Sequence, residues 1–261
     1  EILIGLVGSE MCIRDSFVTK QAAAEIYVGT DYKETSISSN VYKIIRNCQL
    51  QGGLAIACGD AGIGKTQACR QYYREHGTNC IYITVNPCIK SSKSVLELIG
   101  SKLNVSSGSV SRLWLEISSK LSDGMVIIVD EAQHLTRNAI DTLRSLCDCF
   151  DEKGQTLGIC FVGNETTVSR LGGKQKAEFA QIRNRTKNTR FYSVKQIKKS
   201  DIEMLFPDIR EDTAAVEFLL CIAQSPQAIR GAVNLYSNAL DNGNVTAKGL
   251  SAIAKYMDMA V

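Results

Sequence analysis

Residues Gly59, Asp60, Ala61, Gly62, Ile63, Gly64, Lys65, Thr66 and Gln67 make a glycine-rich stretch of the form G-x-x-x-x-G-K-T. Glycines let a backbone wrap closely around an anion, and the N–H groups of the loop and of the helix it opens point at that anion. Lys65 is spaced to reach the β- and γ-phosphates of a nucleotide, and the Thr66 hydroxyl to ligate magnesium. About sixty residues on, "MVIIVDEAQHL" ends an apolar run in Asp130 and Glu131. Asp130 is placed to hold the same metal ion, and Glu131 to polarise an attacking water. Two acids in tandem favour hydrolysis of the nucleotide over its storage, so the expected reaction is ATP plus water to ADP plus phosphate. Three further polar groups follow in order. Asn164 in "ICFVGNETTVSRL" either orients the lytic water or simply makes a Gly-Asn turn. Arg183 and Arg185 in "FAQIRNRTKNTRF" precede the fifth β-rich run, where an arginine is expected to point away from its own nucleotide and to serve a neighbour's γ-phosphate in trans. Arg230 in "SPQAIRGAVNLY" sits on the polar side of a helical pattern.

These groups need a scaffold that brings them to one place. Five β-rich runs, Leu54 to Cys58, Ile81 to Val85, Val126 to Val129, Gly158 to Val162 and Arg190 to Val194, alternate with helical patterns. That alternation predicts crossover units on a mostly parallel sheet. The helix after the first run is expected to end at Gly77, and the one after the third to bury Ile140, Leu143, Cys147 and Phe150 before Gly154. Beyond Val194 only helices are expected: Lys199 to Phe206, Asp212 to Gln224, Pro226 to Asp241 with a buried stripe of Ile229, Val233, Tyr236 and Leu240, and Thr246 to Met257.

The series of phosphate loop, Asp-Glu strand, post-strand Asn, pre-strand Arg and late helical Arg resembles the AAA+ ATPases, over roughly Thr35 to Met257. The resemblance implies an α/β fold: a five-stranded parallel P-loop sheet with helices on both faces and a small C-terminal α-helical lid domain. It implies ATP and Mg2+ as cofactors, bound at subunit interfaces of a ring or helical filament. By motif position Asn164 becomes the first sensor, Arg185 the finger with Arg183 as the competitor, and Arg230 the second sensor. The expected domains are a leader at 1–16, a linker at 17–34, the α/β core at 35–197 and the lid at 198–261.

Within that superfamily "DEAQHL", "FVGN", "FAQIRNR" and "ETSISSNVYKIIRNCQLQGGLAIACGDAGIGKT" are similar to the transposition ATPases, the phage Mu B group. The implied task is ATP-dependent, sequence-nonspecific binding of double-stranded DNA, assembly on it, and its delivery to a transposase that stimulates hydrolysis. Two rivals share parts of the pattern: ExeA-like secretion-associated ATPases, and replication-initiator or helicase-loader ATPases. For DNA contact, Lys90, Ser92 and Lys93 in "VNPCIKSSKSVLELIG" offer charge and helix N-terminal amides, or else a capped helix with solvated lysines. The basic stretch Arg170 to Lys199, with ten basic residues against Glu178, competes for that role. Set against the chain's formal +3, its local +9 leaves the remainder at −6, an asymmetry compatible with a polyanion or with a solvated face.

The 261 residues are 44% hydrophobic, enough for a core, and no apolar run approaches the ~20 residues of a membrane span. Ten cysteines include Cys58, Cys80 and Cys160 in apolar runs and a Cys147-x-Cys149 pair at helix spacing. This usage reads as packed thiols in a reducing cytoplasm, with neither a disulfide framework nor a zinc site. The opening "EILIGLVGSEMCIRDS" fits a secretory signal badly and resembles translated sequencing adapter, so native sequence is expected to begin near Phe17, with the helix-turn-helix segment of the Mu group missing. Deleting Glu1 to Ser16 is accordingly expected to leave the melting temperature and nucleotide affinity unchanged; a large fall in melting temperature would contradict this.

Overall fold

Alternating faces of parallel strands govern the architecture. A computed structural model of the chain describes residues 32–167 and 186–259. The chain divides into two units, Glu1–Lys33 and Glu34–Val261, and all the described helices and strands belong to the second. These elements, numbered in chain order, begin with α1 (Ser36–Gln51), β1 (Gly53–Gly59), α2 (Lys65–His76), β2 (Cys80–Thr84), α3 (Ser92–Lys102) and α4 (Val110–Lys120). They continue with β3 (Met125–Asp130), α5 (Arg137–Glu152), β4 (Leu157–Gly163) and β5 (Thr186–Tyr192). Four helices close the chain: α6 (Lys199–Leu205), α7 (Thr213–Ala223), α8 (Ala228–Asp241) and α9 (Ala247–Tyr256).

The strands form one parallel sheet in the order β2-β3-β4-β1-β5. Along β1, Leu54, Ile56 and Cys58 enter one core with α3, α4 and α5, while Ala55 and Ala57 enter the other with α1, α2 and the C-terminal helices. Each central strand therefore reads as a continuous apolar run, buried on both faces. Close approach is needed where α1 crosses the sheet. A Cβ on Gly158 would lie 2.4 Å from the Cys48 carbonyl oxygen. Gly158→Ala is expected to destabilise the fold by about 1–3 kcal/mol, read as a lower urea midpoint, because two backbones must separate.

The predicted strands and helices appear with shifted ends, and two expectations need correction. The fifth strand is Thr186–Tyr192, not Arg190 to Val194. It is a sheet edge paired only to β1, so its polar residues face outward and the apolar signal fails. In α8 the buried face runs through Ala228, Ile229, Ala232, Leu235, Tyr236 and Ala239, while Leu240 is 52% exposed. Ala228, Gly231, Ala232 and Ala239 alternate there with the larger Ile229, Leu235 and Tyr236, and α8 packs against α7 and α9. The α5 stripe of Ile140, Leu143, Cys147 and Phe150 is buried as expected, and Gly154 follows with φ 67°. Gly77 caps α2 in a right-handed conformation. Among the described residues no helix is long and apolar enough to cross a membrane, and no cluster of three or more metal-ligating side chains occurs.

One buried carboxylate ties the two ends of this unit together. Asp201, 2% exposed, accepts from the Ser36 N–H (2.7 Å) and hydroxyl (2.8 Å) at the start of α1. Its other oxygen accepts from the Lys198 N–H (2.9 Å) before α6. An anion between two helix N-termini meets both sets of unpaired amides.

Candidate functional site

The loop after β1 is shaped by contacts no side chain would survive. A Cβ on Gly59 would lie 2.0 Å from the Tyr192 carbonyl oxygen, so only glycine allows β1 and β5 to converge there. Asp60 then fastens the loop to the end of β5: its N–H donates to the Tyr192 carbonyl (3.0 Å), and its carboxylate accepts from the Val194 N–H (2.8 Å). Gly62 and Gly64 take φ of 75° and 98°, which turn the chain back so that α2 starts at Lys65. The Lys65 ammonium is buried and donates to the Gly59 (2.9 Å) and Asp60 (2.6 Å) carbonyls. Burial lowers its pKa, while Asp130, Glu131 and Asp60 oppose the shift. The result is a backbone-lined cradle with one cation at its base, a fit for a polyphosphate.

Asp130 ends β3 and is 2% exposed. One of its oxygens accepts from the Glu131 N–H (2.9 Å) and the other from the Tyr82 hydroxyl (2.9 Å). The Thr66 side chain is near enough to favour its ionised form. Burial raises its pKa, and the Tyr82, Thr66 and Glu131 donors pull it back. The two residues expected to hold magnesium, Thr66 and Asp130, are thus side by side, a hydroxyl and a carboxylate suited to a hard cation. Tyr82 was not expected. It stands on β2, where Thr84 is in register with Asp130, and burial pushes its phenol up to about 12, so it remains a donor.

Glu131 sits in the left-handed region (φ 58°, ψ 33°), a conformation costing a non-glycine residue about 1 kcal/mol. Its carboxylate accepts from the Gln133 amide nitrogen. The Gln133 amide oxygen in turn accepts from the Asn164 N–H at 3.2 Å. Gln133 was likewise unexpected, although it lies within "DEAQHL" beside the two acids. Asn164 follows β4, and its side-chain oxygen accepts from the Thr166 N–H (3.0 Å) and hydroxyl (2.6 Å). The turn is therefore real, and these bonds use the oxygen alone, with Nδ2 taking no part in them.

The late helix meets the loop directly. The Arg230 N–H donates to the Gly62 carbonyl (3.2 Å), and a Cβ on Gly62 would lie 3.2 Å from the Cβ atoms of both Ala228 and Arg230. Ala228, wholly buried with φ 56°, starts α8 at this contact. Arg183 and Arg185 lie outside the described residues. Lys90, Ser92 and Lys93 stand at the β2 edge of the sheet. There Thr136 N–H donates to the Lys90 carbonyl (3.0 Å), the Thr142 hydroxyl donates to Ser92 (2.9 Å), and Lys93 pairs with Glu97 (3.9 Å). The starts of α3 and α5 are thereby joined, and the Ser92 hydroxyl is engaged with α5.

The sheet order and the loop after β1 give the chain a P-loop fold of the AAA+ type. A family model described as an AAA domain matches residues 48–171. The chain is similar to the ATP-dependent target DNA activator B of Escherichia phage Mu, 29% identical over 236 residues that cover 87% of this chain and 71% of that protein. It is also 28% identical to the Mu-like prophage FluMu DNA transposition protein B of Haemophilus influenzae, over 85% of this chain and 78% of that one. Among solved structures, the ORC2 protein of Aeropyrum pernix superposes with a TM-score of 0.63 at 13% identity, covering 88% of this chain and 71% of that one, a likeness of fold alone.

Proposed function

We propose that this chain is an ATPase that binds double-stranded DNA without sequence preference when loaded with ATP, assembles on it, and presents it to a transposase. The observation that carries this reading is the convergence of Lys65, Thr66, Asp130 and Glu131 at the strand ends, in a chain similar to transposition proteins over most of its length. The backbone of residues 59–66 and Lys65 would hold the phosphates of ATP, and Thr66 and Asp130 would hold magnesium. When bound, that ion neutralises charge on the β- and γ-phosphate oxygens. Glu131 would take the proton of the attacking water, Asn164 would orient it through Nδ2, and Arg230 would meet the nucleotide from the lid. Arg185, or Arg183, would serve a neighbouring subunit's nucleotide in a ring or filament. We further take 35–197 as the core and 198–261 as the lid, with Lys90 and Lys93 as phosphate contacts for DNA.

The test is anisotropy of a labelled, unrelated duplex with ATP, ADP or no nucleotide across a salt series. Tight binding with ATP only, weakening steeply as salt rises, is expected. Binding that ignores the nucleotide, or none in any state, overturns the reading.

A further inference from the structure

Three atoms converge on Gly163. A Cβ there would lie 2.3 Å from the Thr167 hydroxyl, 2.4 Å from the Gln133 amide oxygen and 3.3 Å from the Ala132 N–H. The end of β4 is thus bare so that the Gln133 side chain can pass between the turn after β3 and the turn after β4. Its two ends are used separately: Nε2 donates to the Glu131 carboxylate, and Oε1 accepts from the Asn164 backbone N–H. An amide is the one uncharged group of this length that donates at one atom and accepts at the next.

From this bridge we infer that Gln133 is a positioning residue that sets the Glu131 carboxylate relative to Asn164, so that base and water-orienting group move as one unit. The inference rests on the reading of Glu131 as the base. It also assigns Gly163 its role. Glu131 has a left-handed backbone, so its side chain departs from a turn, not from the rigid strand, and needs a second anchor. Asp130 has its own anchors in the Tyr82 hydroxyl and the Glu131 N–H, and the Gln133 amide bonds to Glu131 instead. Thr167, wholly buried, keeps a hydroxyl with no hydrogen-bond partner beside the Gly163 gap.

The experiment compares Gln133→Met, Gln133→Glu, Glu131→Gln and the double variant Glu131→Gln/Gln133→Met in the full chain. Turnover of Mg-ATP and affinity for a fluorescent ATP analogue are both measured. Methionine keeps the length and loses both bonds; glutamate keeps the acceptor for Asn164 and loses the donor to Glu131. Both Gln133 variants are expected to lower kcat by about ten- to a hundredfold, the scale of a small misplacement of a reacting group, with analogue affinity within about twofold of the parent. That retained affinity shows the site is folded. In the double variant, Gln133→Met should add less than about twofold to the loss from Glu131→Gln, since its action runs through that carboxylate. Parental kcat in Gln133→Glu, or full additivity in the double variant, overturns the positioning role. Parental kcat in Glu131→Gln instead removes the base assignment, and only a second base would then explain turnover.

Discussion

Lys65→Ala is expected to abolish ATP-dependent DNA binding by first abolishing ATP binding. The ammonium lies at the base of the loop, held by the Gly59 and Asp60 carbonyls, which a phosphate would replace as the stronger acceptor. A charge-assisted bond to a phosphate contributes about 1.5–3 kcal/mol, and Lys65 is positioned to make two, so nucleotide affinity should fall by roughly a hundredfold or more. Titration calorimetry with ATP measures this directly. The loss should exceed any change in melting temperature, because the alanine leaves the glycine turns and the β1–β5 junction intact. Asp130 and Glu131 lose their nearest opposing charge in this variant, which further disfavours an anion. Unchanged affinity would place the nucleotide elsewhere.

Glu131→Gln should separate binding from turnover. The substitution keeps the length of the side chain and the left-handed backbone, and it leaves Lys65, Thr66 and Asp130 untouched. Loss of a general base costs about 10²–10⁴ in rate. Hydrolysis should fall on that scale while ATP affinity stays near the parental value, and ATP-dependent DNA complexes should persist because the nucleotide that licenses them is no longer consumed. Phosphate release in single-turnover conditions, alongside DNA anisotropy over time, distinguishes this from a folding defect. Normal hydrolysis would move the proton acceptor to another residue.

The parts of the site legible from sequence are those made by neighbours in the chain. Gly59 to Thr66 and Asp130-Glu131 are contiguous, and their chemistry follows from residue type and spacing alone. The central strands were equally legible, since burial on both faces leaves uninterrupted apolar runs. The edge strand was not, because β5 is held by backbone bonds to β1 and carries Lys187, Thr189 and Arg190 exposed. Nor was the α8 face, where alanines share the packing with Leu235 and Tyr236 while Leu240 is half exposed. Asp201, Tyr82 and Gln133, and the tie from Asp60 to the end of β5, escaped notice for a different reason. Each acts on a partner fixed only by the fold: Ser36 lies 165 positions from Asp201, and Val194 lies 134 from Asp60. Gln133 was in plain sight beside the acids, but its second partner, Asn164, becomes adjacent only when β3 and β4 pair.

The bond from the Arg230 N–H to the Gly62 carbonyl joins the helical end of the chain to the loop after β1, so on the proposed reading that end takes part in nucleotide affinity. Coupling free energies are reciprocal. If filling the loop favours one placement of α8, then whatever holds α8 in that placement raises affinity for the loop's ligand by the same factor. A client that grips the C-terminal helices would therefore act on ATP from outside the pocket, and ATP would tune its hold on that client, with no contact between the two.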